Sequence, residues 1–130
     1  MYRFRGQTFL QKKNECYSYK PIKIDTCEAL KFFLDNFNTI INDIILPNAY
    51  IDKKGDTAIV VIDHQCITEM FLSKGSEKKE IIIEAFRLYE TSGFTEGDKN
   101  INYNHNATTK TIQLCRLLGE KSRKQKFKKQ

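Results

Sequence analysis

Asp63 and His64 close the apolar run 58–62 (Ala-Ile-Val-Val-Ile), and they are the side chains of this chain best placed for catalysis. A strand holds the group at its end rigidly while leaving it open to substrate. An ordinary histidine titrates near about 6.5, so His64 can take or give a proton at neutral pH, with Asp63 orienting it. His105 is the other histidine in the sequence. One histidine as base, one as acid and a lysine such as Lys110 would suffice for metal-free RNA cleavage. His64, Cys66, His105 and Cys115 are zinc-ligand types, but their spacing matches no zinc motif. Asp25 and Asp63 each follow an apolar strand segment and would share a Mg²⁺ only if those strands were neighbours. No G-x-x-x-x-G-K-[ST], G-x-G-x-x-G or G-x-S-x-G stretch is present, which leaves nucleotide hydrolysis and serine-hydrolase chemistry without support. No metal or cofactor is expected. An Asp-His pair after a strand is also ordinary turn chemistry, so a non-catalytic protein is the first reading and a small nuclease using His64, Asp63 and His105 the third.

The stronger signal is electrostatic. The net charge is +6, but it is concentrated at the ends. Residues 121–130 hold Lys121, Arg123, Lys124, Lys126, Lys128 and Lys129 and no acid. Residues 1–24 hold six bases against Glu15, while residues 25–120 are net acidic. Clustered Lys and Arg neutralise phosphates and release counterions, which gives sequence-independent affinity for DNA or RNA. Phe127, within the tail, can stack on a base. Arg3 and Arg5 extend this basic surface if the two ends meet. A solvated tail that only aids solubility is the bland alternative. The second functional reading is a protein-binding inhibitor or adaptor, based on the acidic middle and the polar loop 95–106.

A chain of 130 residues suits one domain with one core, expected at 1–119, followed by a flexible basic tail at 120–130. The start Met-Tyr-Arg-Phe-Arg-Gly lacks the apolar segment of a signal peptide, and no run approaches the roughly 18 apolar residues of a membrane span. An intracellular protein with four free thiols (Cys16, Cys27, Cys66 and Cys115) and no membrane partner follows as the expectation. The abundance of Ile, Lys and Asn suits an AT-rich genome such as that of a phage, virus or mobile element.

The elements that would position these groups read as α+β, with a small, mainly antiparallel sheet of about four strands in two hairpins. Residues 2–10 begin with alternation, Tyr2 and Phe4 on the core side and Arg3 and Arg5 on the other. Residues 16–24 return as a second strand, bent or at an edge at Pro21. A long amphipathic helix spans 26–46, capped by Asp25 or Thr26, with Leu30, Phe33, Leu34, Phe37, Ile40, Ile41, Ile44 and Ile45 on one face. Residues 49–51 form a strand that turns at 53–56 into the run 58–62, expected as a central strand buried on both faces. Two to three further helices complete the domain: 66–72, then 77–91 capped by Ser76 and ended by Gly93, then 108–118 ended by Gly119. The pair 67–72 and 77–91, with Gly75 between, has the gross lengths of a helix-turn-helix, though Phe71 and the neutral start Glu77-Lys78-Lys79-Glu80 argue against DNA reading.

Overall fold

Tyr2, Arg3 and Phe4 alternate, and in the computed structural model, which describes residues 1–5, 7–11, 18–24, 28–63, 66–93 and 98–129 but not the side chains at 3, 4, 8 and 10, they form β1 (Tyr2–Phe4). The fold is α+β, and every strand pair between described residues is antiparallel. The strands are distributed over three small sheets instead of one. The chain divides into two compact units, one made of Met1–Ile40 with Gln113–Gln130 and the other of Ile41–Ile112.

In the first unit β1, β2 (Gln7–Leu10) and β3 (Ile22–Ile24) make a three-stranded meander in that order. The expected helix starts as α1 (Glu28–Asp35), breaks at Asn36 and resumes as α2 (Phe37–Asn42). Asn36 turns its side-chain amide back onto the Phe32 carbonyl at 2.8 Å, which its backbone amide shares at 3.0 Å. Ala29, Phe33, Phe37 and Ile40 are buried, at the three- and four-residue spacing of one helix face. The apolar stripe is narrower than its sequence suggests, because Leu34 and Ile44 are exposed. Phe33 and Phe37 meet edge to face across the break, with centroids 5.4 Å apart. The last helix, α4 (Lys110–Arg123), passes through Gly119 instead of ending there, and Leu114 is buried on it. The caps expected at Asp25 and Thr26 lie outside the described residues.

The second unit is built from two hairpins, a 3₁₀ turn and a short helix. Strands β4 (Ala49–Ile51) and β5 (Thr57–Ile59) pair across a turn in which Asp52 Oδ1 accepts from the amides of Lys54 and Asp56 at 2.8 and 2.9 Å. Gly55 takes φ +87°, as the turn requires. The expectation of a central strand over 58–62 fails. Among the described residues β5 pairs with β4 alone, and Ile59 and Val61 are exposed while Val60 is buried. The run is half-buried, and its β-branched residues serve the pleat without a second face to cover.

The largest correction falls at 66–91. The two helices expected there are instead a β-hairpin, β6 (Ile67–Lys74) with β7 (Glu77–Glu84), in register from Ile67 opposite Glu84 to Lys74 opposite Glu77. Gly75, at φ +63°, makes the two-residue turn that the sequence suggested as a helix break. Ile81, Ile82 and Ile83 fit a helix face by spacing but favour a strand by branching, and the turn decides between them. Met70, Ile81 and Ile83 are buried along one side of the hairpin, and Phe71 and Ile82 are exposed along the other. A 3₁₀ turn, Ala85–Leu88, follows. The polar loop expected at 95–106 is partly helix, α3 (Tyr103–Thr108). No helix of the described residues is long and apolar enough to cross a membrane.

Candidate nucleic-acid interface

The two basic ends of the sequence belong to the same unit, and the backbone ties them together. Tyr19 forms a β-bridge with Lys129, and the Lys20 amide donates to the Lys128 carbonyl at 3.0 Å. The rings of Tyr19 and Phe127 meet edge to face with centroids 6.1 Å apart. Beyond the α4 terminus at Arg123, residues 128–129 therefore run beside the segment that leads into β3. The unit holds fourteen Lys and Arg against five Asp and Glu, a net +9; the other holds eight against eleven, a net −3. Folding gathers the two basic ends of the sequence into one unit.

Lys20, Lys23, Arg123, Lys124, Lys126 and Lys128 are exposed and form no ion pair with a described residue. Each keeps a mobile, hydrated charge available to an anion. Lys121 is half-buried on α4, and Lys129 is exposed at the bridge. Phe127 is half-buried, its ring engaged with Tyr19, and so serves first to hold the tail. Arg5 is exposed at the β1–β2 turn with φ +47°. Arg3 pairs with Thr8, and Thr8 with Ile24, which is buried.

The alternating row runs Tyr2, Phe9, Lys23, directly opposite one another across the three strands. Tyr2 is 44% exposed, although the alternation assigned it to the core side. With only three residues in β1 the pattern alone does not fix which row faces inward. Tyr2 and Phe9 stack at 5.4 Å with planes 16° apart, and Lys23 completes the row. Tyr2, Phe9, Lys20 and Lys23 were not singled out by sequence. Their signal, aromatics alternating near basic residues, is present, but reading it required the register.

Of the catalytic candidates, Asp63 and His105 lie among the described residues. Asp63 is exposed after β5, and His64 lies outside the described residues. His105, on α3, donates from Nε2 to the Ile44 carbonyl at 3.0 Å. Strands β3 and β5 belong to different sheets, and Asp25 lies outside the described residues. Among the described residues no group of three or more His, Cys, Asp or Glu could hold a metal ion. Cys66 is an exposed thiol; Cys115 is half-buried, and burial pushes its pKa up to about 11.

The asparagines of the supposed loop perform a structural task. From the last turn of α2 through residues 43–47, polar side chains from later in the chain take up backbone carbonyls. Lys79 Nζ donates to Ile41, Arg87 Nη1 to Ile45 at 2.8 Å and Asn102 Nδ2 to Pro47 at 2.9 Å. Asn106, fully buried, accepts from the Leu46 amide at 2.8 Å and donates to the Leu46 and Arg87 carbonyls at 2.9 Å each. Asn100 Oδ1 accepts from the amides of Ala49 and Asn102, and its Nδ2 donates to the carbonyls of Arg87 and Tyr89. Asn48 Nδ2 donates to the Phe86 and Thr91 carbonyls. A carboxamide suits this work because it offers donor and acceptor together without charge. Comparison with known protein families, curated proteins and solved structures returns no match for the chain.

Proposed function

We propose that this is a small, non-catalytic accessory protein that contacts nucleic acid through its basic ends. The observation that carries the reading is the gathering of both ends into one unit of net +9, with the tail held at Tyr19 and Lys20. A cluster of exposed Lys and Arg offers affinity that does not depend on sequence, since phosphates and released counterions supply it. Binding of labelled DNA and RNA by the full chain, followed by fluorescence anisotropy at rising salt, tests this. The control is the full chain with Lys124, Lys126, Lys128 and Lys129 changed to Gln, which keeps Phe127 on Tyr19. Affinity that falls steeply with salt and is largely lost in the variant supports the reading. Absence of binding at low salt ends it.

A protein-binding adaptor is the second reading, favoured by the exposed side of the β6–β7 hairpin. Ile67, Phe71 and Ile82 are 54%, 72% and 53% exposed there, and the register sets them opposite Glu84, Glu80 and Glu69. Apolar residues bordered by acids suit a partner that carries both apolar and basic groups. This reading predicts a protein complex lost on Phe71→Ser with Ile82→Ser and indifferent to the charge of the tail.

A further inference from the structure

We propose, building on the nucleic-acid reading, that the basic unit takes a single strand in preference to a duplex, with a base stacked on the Tyr2–Phe9 pair. Tyr2 lies on β1, an edge of the meander, and Phe9 covers one side of its ring at 5.4 Å. A ring covered on one side and 44% exposed turns its other side to solvent. That surface is flat, apolar and fixed in direction by the stack beneath it, so a base can lie on it without first ordering the side chain. Bases in a duplex have both faces occupied by their neighbours; those of a single strand do not.

The surrounding charge fits the same occupant. Lys23 stands in the same row two strands away, roughly 10 Å from Tyr2 at ordinary strand spacing. A base on the open side of Tyr2 lies away from Lys23, with Phe9 between them, so the ammonium meets the phosphate of a neighbouring nucleotide where the strand passes back over the row. Lys20, three residues before Lys23, is joined through its backbone to Lys128, which brings the tail to the same end of β3. An aromatic pair flanked by a track of cations is the arrangement that binds single strands with little regard to sequence, the ring supplying stacking and the lysines supplying backbone contacts. An apolar protein segment would leave these cations unanswered.

The sequence has no tryptophan, so Tyr2→Trp introduces a lone reporter at the stack. With the full chain, oligothymidylate is expected to bind at least about tenfold more tightly than a duplex of equal length at the same salt. Its addition should quench the tryptophan emission, while the duplex should leave it nearly unchanged. Tyr2→Leu keeps an apolar side chain over Phe9 but removes the flat ring; it should lose roughly tenfold in single-strand affinity and keep the salt dependence, with Tyr2→Phe restoring the affinity. Equal affinity for the two polymers, or a Tyr2→Leu chain that binds as the native one does, overturns the stacking site and leaves phosphate binding standing. No binding of either polymer at low salt overturns both.

Discussion

The two units use polar residues in opposite ways. In the first, Lys20, Lys23, Arg123, Lys124, Lys126 and Lys128 are exposed and form no ion pair with a described residue. In the second, Asn48, Asn100 and Asn106 are buried, and each bonds main chain that is distant in sequence. Removing a surface cation changes what the protein can attract; removing a buried amide changes whether the fold closes. The difference separates residues available for a function from residues committed to structure, although both kinds appear in the sequence as polar, irregular stretches.

Asn106→Ala should produce the largest effect. It leaves the Leu46 amide and the Leu46 and Arg87 carbonyls without their partner, and a loss of about 3–5 kcal/mol in unfolding free energy by denaturant titration is expected. Asn106→Asp sets a buried carboxylate against those two carbonyls and should cost at least as much. The four-residue Lys→Gln change in the tail should do the reverse, weakening nucleic-acid binding roughly 100-fold at low salt while leaving the melting temperature within a few degrees. If the tail change unfolds the protein, or the Asn106 change selectively abolishes binding in a folded chain, the division between the units fails.

Smaller effects sharpen the fold itself. Gly75→Ala places a side chain at φ +63° with open space around it, so only backbone strain is tested, and a cost of about 1 kcal/mol is expected. Gly75→Asn should cost less, because Asn tolerates that conformation. A helix at this position would instead gain from Ala. The least effect concerns Cys115. Its thiol, raised from 9.0 to about 11 by burial, stays protonated in the folded protein where the unfolded chain ionises. Stability therefore declines as pH rises from about 9 through about 11, and Cys115→Ala should flatten that decline in pH-dependent denaturation. Cys66, exposed, should be alkylated faster than Cys115 at neutral pH.

Much of the fold was legible wherever local chemistry decided it. Lys53-Lys54-Gly55-Asp56 reads as a turn and is one; the spacing of Phe33, Phe37 and Ile40 reads as a helix face and is one; the α+β class follows from such elements. Local chemistry misled where two periods fit the same letters. Ile81-Ile82-Ile83 satisfies helix and strand alike, and the hairpin is chosen by Gly75 together with pairing over the whole of Ile67–Glu84. The asparagine contacts were illegible for another reason: Leu46 and Asn106 stand 60 positions apart, and nothing local to either signals the other. The candidate interface shows both cases. Its charge was visible at each end of the sequence, but the meeting of those ends depends on a bridge between Tyr19 and Lys129, and the outward row of Tyr2, Phe9 and Lys23 depends on register.

The most direct test of the central claim is a residue-by-residue map of amide chemical shifts as oligothymidylate is added to ¹⁵N-labelled full-length protein. Shifts concentrated at Tyr2, Phe9, Lys20, Lys23 and the tail from Lys124 to Lys129, with Asn48, Asn100 and Asn106 unmoved, are the predicted result. Shifts centred on the outer side of the β6–β7 hairpin, or none at low salt, would contradict it.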